Sequence, residues 1–237
     1  MWFGLTLPTR ALGTILRHPT LLFWSALPTS ITLTIYFFLI TRAQHAAKDA
    51  VAGYLATWGM DPHGWTIWLV MAFTELVLLL AGAVTFSVVS SIIASPFNDF
   101  LAESAERFTD PPLAPVAHVS PMKKVRLLLI DIAKTLAALV MTIAALLLSW
   151  VPVLNVLAFV LAFLLVTFQY VSYAQTRRGL GIGAGARFLW RHLFACAGFG
   201  AALSVLFAVP IVSALCVPLA VVGGTLLVGR SQAKGLR

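Results

Sequence analysis

The stretch WTIWLVMAFTELVLLLAGAVTFSVVSSIIASPFNDFLAESAERF, residues 65–108, decides the fold. From Trp65 to Ile93 it runs 29 residues with one charge, Glu75. About 20 apolar residues are enough for a helix to cross a hydrocarbon core, so this run can span one with residues to spare. At Ser95-Pro96-Phe97-Asn98 the apolar run stops, and an amphipathic stretch continues from Asp99 to Phe108. Serine before proline reads as a new helix start. The hydroxyl caps, and proline takes the first turn, where its missing N–H costs nothing. A helix N-terminus at a membrane edge attracts anions. The alternative is capping alone, with Ser95 satisfying orphan N–H groups near lipid.

Composition supports lipid as the solvent. The 237 residues are 60% hydrophobic and 10% charged, whereas soluble domains carry about 25% charged residues. Mean hydropathy is +0.97. The net charge of +8 is no sign of nucleic-acid binding, because the basic residues sit beside apolar runs rather than in a domain of their own. Cys196 and Cys216 lie in apolar stretches at no metal or redox spacing and read as packing residues. Arg10 and Arg17 precede an apolar run over residues 20–40, longer than the about 7–15 residues of a signal-peptide core, which predicts an uncleaved first membrane helix.

Four apolar blocks cover residues 20–40, 65–94, 135–170 and 193–229. The last two are too long for one crossing at about 1.5 Å per residue. Each carries proline near its middle, Pro152 in one and Pro210 with Pro218 in the other, and no charge separates the halves. Each therefore reads as a helical hairpin with an apolar turn, which can lie inside a membrane only where protein or a water-filled cavity satisfies its backbone. The expected fold is an all-α integral membrane protein: two long transmembrane helices, two proline-bent hairpins and interfacial amphipathic helices, in one polytopic domain over 1–237. Fourteen of the 16 basic residues flank the blocks on one side, leaving Arg42 and Lys48 between the first two blocks. By the positive-inside rule both termini are cytoplasmic and both hairpins enter from the cytoplasm. Residues 42–64 face outward as a helical extension of the first block followed by a turn.

Three shorter segments carry separate readings. Phe97, Leu101, Ala105 and Phe108 recur at helical spacing, which predicts a helix lying at the membrane interface. In residues 122–134 the charges share about half of the helical wheel, so that face should meet water or headgroups. Gly179-Leu-Gly-Ile-Gly-Ala184 follows a membrane helix rather than a strand, which makes a cytoplasmic turn the plain reading and a nucleotide site a poor one. Arg177 and Arg178 beside unhindered glycine N–H groups could instead form an anion-binding concavity, or rest on anionic lipid.

Glu75, inside an apolar run, should face a cavity or another helix, or lie near the headgroups if the helix starts above the membrane. The five histidines are scattered, and no nucleophile-and-base set is visible, so neither catalysis nor a metal or other cofactor is expected.

The string SIIASPFNDFLAESAERF, residues 91–108, resembles the A-P-F-N signature of the CysZ sulfate permease family and its eukaryotic etoposide-induced relatives. Phe168-Gln169-Tyr170, Phe199-Gly200, Pro210, Pro218, Ala220-Val-Val-Gly-Gly-Thr225, His18-Pro19 and Leu27-Pro28 resemble the same family in order and spacing. The resemblance implies a bacterial inner-membrane, multi-pass homo-oligomer with two long helices and two partly penetrating hairpins. It also implies sulfate uptake feeding cysteine synthesis. The signature positions carried over are Ser95, Pro96, Phe97, Asn98 and Glu103. Between His18-Pro19 and Leu27-Pro28, sulfate permeases of the family carry a glycine and paired arginines; this chain has Thr20, Leu22 and Phe23. Leu-Phe cannot bind an oxyanion bidentately as an arginine pair does.

The leading expectation is a permease or channel for sulfate or a related small oxyanion. Its candidate anion-binding residues are Ser95, Phe97, Asn98, Arg177 and Arg178, with Glu75, Glu103 and Glu106 as pathway or structural polar groups. The alternative is a non-transport membrane scaffold or adaptor of the same fold. The topology is testable with single cysteines in a chain whose Cys196 and Cys216 are replaced by alanine. A membrane-impermeant maleimide applied to intact cells should label Met60→Cys, and should label Ala186→Cys only after permeabilisation. Labelling of Ala186→Cys in intact cells would reverse the orientation.

Overall fold

A computed structural model of the chain describes residues 1–57, 64–114, 121–152, 154–208 and 210–235. These form helices α1 (Trp2–Leu5), α2 (Leu7–Arg17), α3 (Pro19–Thr57), α4 (Trp65–Glu106) and α5 (Pro121–Ser149). Then follow α6 (Asn155–Thr176), α7 (Ile182–Arg191), α8 (Leu193–Phe207) and α9 (Pro210–Gly235), with no strand among the described residues. The protein is an all-α integral membrane protein. Pro19–Leu55, Val125–Ser149 and Asn155–Thr176 are each long and apolar enough to cross a bilayer. α7 and α8 together form a further, broken candidate, bent by 98°.

The predicted helix start at Ser95 does not exist. α4 runs 42 residues and carries Pro96 inside it. Proline there removes one ladder hydrogen bond and crowds the carbonyl four residues back, a cost of about 3 kcal/mol. Burial on the C-terminal side outweighs that local signal: Leu101, Ala102 and Ala105 are in the fully buried core. The apolar stripe read from Phe97 to Phe108 is real, but Leu101 and Ala105 face protein rather than a lipid interface.

The chain divides into two compact units, residues 26–94 and residues 1–25 with 95–237. The first is a pair of long helices. Tyr36 donates its hydroxyl to the Gly82 carbonyl at 2.6 Å and meets the Phe86 ring edge-on at 4.9 Å. Lys48 reaches Glu75 at 3.5 Å. Positions rising along α3 pair with positions falling along α4, so the two run antiparallel. The helical extension expected after residue 40 is present, since α3 is helical from Pro19 to Thr57. The turn expected at 59–64 lies outside the described residues except for Gly64.

The second unit packs α6, α8 and α9 around one core containing Phe199, Leu203, Val171, Val221 and Val222, with α1 and α2 laid against it. The first hairpin breaks between Ser149 and Asn155, where its Pro152 lies, and α5 and α6 pack against each other. The second breaks after Phe207, at Ala208, and Pro210 opens α9. Their arms differ. α5 and α6, at 29 and 22 residues, rise about 44 and 33 Å, enough for a hydrocarbon core of about 30 Å. α8, with 15 residues, rises only about 22 Å.

Close backbone approach holds this unit together. Without a hydrophobic driving force in lipid, helices associate through packing of small residues and interhelical hydrogen bonds. A Cβ on Gly200 would collide with the backbone of Phe163, and one on Gly224 would lie 2.7 Å from the Tyr170 carbonyl oxygen. Thr167 adds a hydroxyl bond across to the Cys196 carbonyl at 2.6 Å. Both cysteine thiols are free and buried, in the packing role their neighbours predict. Gly200→Val should therefore cost at least about 2 kcal/mol in a detergent unfolding titration. Gly183→Ala, where nothing lies within 4 Å, should stay within about 1 kcal/mol of the parent.

Candidate functional site

The polar residues of the second unit converge where the last turns of α4 meet the end of α6. Glu103 and Glu106, three residues apart, share a face of α4. Arg177 Nη2 lies 3.0 Å from Glu103 Oε2, and Arg178 Nη1 donates to Glu106 Oε1 at 2.6 Å. Arg177 Nε sits 3.6 Å from that same Glu106 oxygen and has no hydrogen-bond partner although it is buried. One turn deeper, Asn98 Nδ2 approaches the Tyr173 hydroxyl at 3.4 Å. Two cations thus meet two carboxylates. The Glu106 side chain is 5% exposed and the Glu103 side chain 48%, so one half of the cluster is sealed and the other is open to exchange.

Local chain geometry sets this up. Gly179 at φ 72° takes the left-handed position that stops α6. The Leu180 N–H bonds to the Gln175 carbonyl at 3.1 Å and the Gly179 N–H to the Thr176 carbonyl at 2.8 Å, which is a Schellman ending. Arg178 also donates to the Ala174 carbonyl at 2.8 Å, placing a cation at the negative end of the helix. The glycine-rich segment is thereby a helix stop, and the anion-binding concavity considered there does not form: both guanidinium groups turn back to carboxylates. On the α4 side, Thr109 accepts the Leu113 N–H at 2.9 Å and donates to the Glu106 carbonyl at 2.9 Å, folding the chain so that the Ala114 carbonyl reaches Arg178 at 3.3 Å.

The other expected residues fall out differently. Phe97 joins an aromatic group in which Trp24 lies 6.3 Å from it and stacks on Phe100 at 5.1 Å. His18 stacks on Phe108 at 3.7 Å. Leu22 and Phe23, where an arginine pair would stand, are exposed apolar side chains. Ser95 is helical; its side chain lies outside the described residues. Glu75 belongs to the helical pair of the first unit, ion-paired with Lys48, and both side chains are about half exposed. Among the described residues no group of three or more His, Cys, Asp or Glu side chains could hold a metal.

Two participants were not singled out from sequence. Tyr173, which meets Asn98, sits four residues before Arg177 on α6, and helical spacing from that arginine pair was the available signal. Lys134 was expected to face water or headgroups with its neighbours. Instead it is buried, donating to Thr176 Oγ1 at 3.0 Å with its ammonium 5.9 Å from the Phe168 ring centroid. The reason is position: it ends the charged face of α5, beside Thr176 at the end of α6.

Residues 7–218 match the protein-family model described as "Sulfate transporter CysZ/Etoposide-induced protein 2.4". Among curated proteins, the chain is 28% identical to the sulfate transporter CysZ of Pseudomonas paraeruginosa over 232 residues, covering 92% of this chain and 91% of that one. It is 30% identical to the protein of that name from Pseudomonas fluorescens, covering 90% and 87%. It is 31% identical to that of Pectobacterium atrosepticum, covering 69% and 62%. The match spans the α4–α6 junction and runs into the start of α9, and the chain belongs to the family of sulfate transporter CysZ and etoposide-induced protein 2.4.

Proposed function

We propose that the protein is an inner-membrane, multi-pass permease or channel for sulfate or a related small oxyanion, with both termini cytoplasmic, working as a homo-oligomer. The observation that carries this reading is the family match through residues 7–218, with relatives named as sulfate transporters across nearly the whole chain. The charge asymmetry along the sequence supports the orientation.

The oxyanion contacts are assigned to the α4–α6 junction, with Arg177 and Arg178 as the cations and Asn98 one turn deeper; Ser95 and Phe97 are carried as candidates from the signature segment alone. A guanidinium offers a planar fork of donors suited to a tetrahedral oxyanion. Arg177 carries an unused buried donor, and its partner Glu103 is open to solvent. An arriving anion can take the place of Glu103 without stripping Arg178 from Glu106. No helix N-terminus is involved, since α4 runs on through Pro96.

A second reading, a membrane scaffold or adaptor that moves nothing, is favoured by one observation. Both arginines are already matched by carboxylates, and Leu22 and Phe23 supply no replacement.

Reconstituted in vesicles, the protein should carry sulfate or thiosulfate faster than empty vesicles, and Asn98→Ala should lose most of that flux while inserting normally. Flux equal to empty vesicles for sulfate, thiosulfate and related anions rejects transport. An Asn98→Ala protein that instead loses assembly supports the scaffold. Glu106→Gln leaves Arg178 with a buried charge lacking its carboxylate, and should lower unfolding stability in mixed micelles by about 3 kcal/mol. Glu103→Gln, at the exposed pair, should cost less than about 1 kcal/mol.

A further inference from the structure

A cavity of about 280 Å³ in the second unit lies apart from the α4–α6 junction and plays no role in the reading above. Its apolar wall includes Phe3, Leu193 and Leu227, and its polar wall includes Arg191, Arg230 and Ser231. No carboxylate lines it. Among the described residues neither arginine has an ion pair. Arg230 instead lies over the Phe3 ring, 3.8 Å from its centroid. Contact with an aromatic face holds a guanidinium in place while leaving its edge donors free. The cavity is therefore a preformed, positively charged recess with an apolar side.

The surroundings indicate what fills it. Trp190 and Phe194 are 77% and 70% exposed, and they flank Arg191 and the 98° bend between α7 and α8. Aromatic side chains presented next to basic ones mark the headgroup level of a bilayer. A lipid phosphate brings its acyl chains with it, which suits the Phe3, Leu193 and Leu227 wall; a free oxyanion offers that wall nothing. Basic recesses between membrane helices are a recognised way to hold anionic headgroups.

We propose that this recess binds the phosphate of an anionic phospholipid, with Arg191 and Arg230 as the charge-pairing groups and Ser231 beside them. The bound lipid would tie α1, the α7–α8 bend and the end of α9 to one another. The chemistry recognised is a tetrahedral oxyanion, and the source is a membrane lipid rather than a free ion.

The test uses the full-length protein in detergent, titrated with phosphatidylglycerol or phosphatidylcholine, with bound lipid counted by native mass spectrometry. Phosphatidylglycerol should bind at least about tenfold more tightly than phosphatidylcholine. Arg191→Gln and Arg230→Gln should each weaken it by about fivefold, and Arg230→Lys should retain most of the binding. Unfolding titrations of the single variants check that each remains folded. An undiminished phosphatidylglycerol preference in both overturns the site. Saturable binding of inorganic sulfate or phosphate that needs both arginines, with no preference for phosphatidylglycerol, overturns the lipid as occupant. Anion flux in vesicles is a separate readout, so failure of transport and failure of this site are distinguishable.

Discussion

Arg178 and Glu106 meet at 2.6 Å across 72 residues of sequence, and most of the second unit's polar architecture is organised around that contact. A sealed carboxylate is tolerable only when a cation and further hydrogen bonds satisfy it. Arg178 does this while also binding the carbonyls of Ala174 and Ala114, so one guanidinium closes α6, pins the end of α4 and holds the loop after it. The Schellman ending at Gly179 places the arginine there, and the Thr109 turn brings the loop back. Arg177 and Glu103 form the looser outer copy of the same contact. The cluster thus has a sealed inner pair and a solvent-open outer one.

Much of the fold was legible because lipid leaves few options. A run of apolar residues must satisfy its backbone internally, so helices were assured, and proline in a charge-free block marked both hairpin breaks. The misreading at Ser95-Pro96 came from treating a capping signal as decisive. Local propensity near proline is worth a few kcal/mol, and burial of Leu101, Ala102 and Ala105 is of the same order. A sequence window of ten residues does not contain the rest of the buried cluster that Leu101, Ala102 and Ala105 join.

The candidate site was half legible. Most of its residues were named from sequence: the signature segment drew attention to Asn98, Glu103 and Glu106, and the paired arginines stood out at the end of a membrane helix, whereas Tyr173 and Lys134 were missed. What the chain could not show was that the two groups neutralise one another. That pairing depends on how α4 and α6 lie against each other, a long-range fact with no periodic trace. Lys134 was misplaced for a related reason. The helical wheel tells which face of α5 is charged but not where along that face another helix begins to cover it.

α3 contains 39 residues, a contour of about 58 Å, nearly twice the thickness of a hydrocarbon core. Its antiparallel partner α4 is of similar length, and the Lys48–Glu75 pair links the two. Such a pair does not have to match one bilayer thickness. In a thicker membrane it can stand more upright and immerse more of its length, and in a thinner one it can lean or expose more of its far end to water, at a cost of fractions of a kcal/mol per Å. The short arm α8, with 15 residues, has no such latitude.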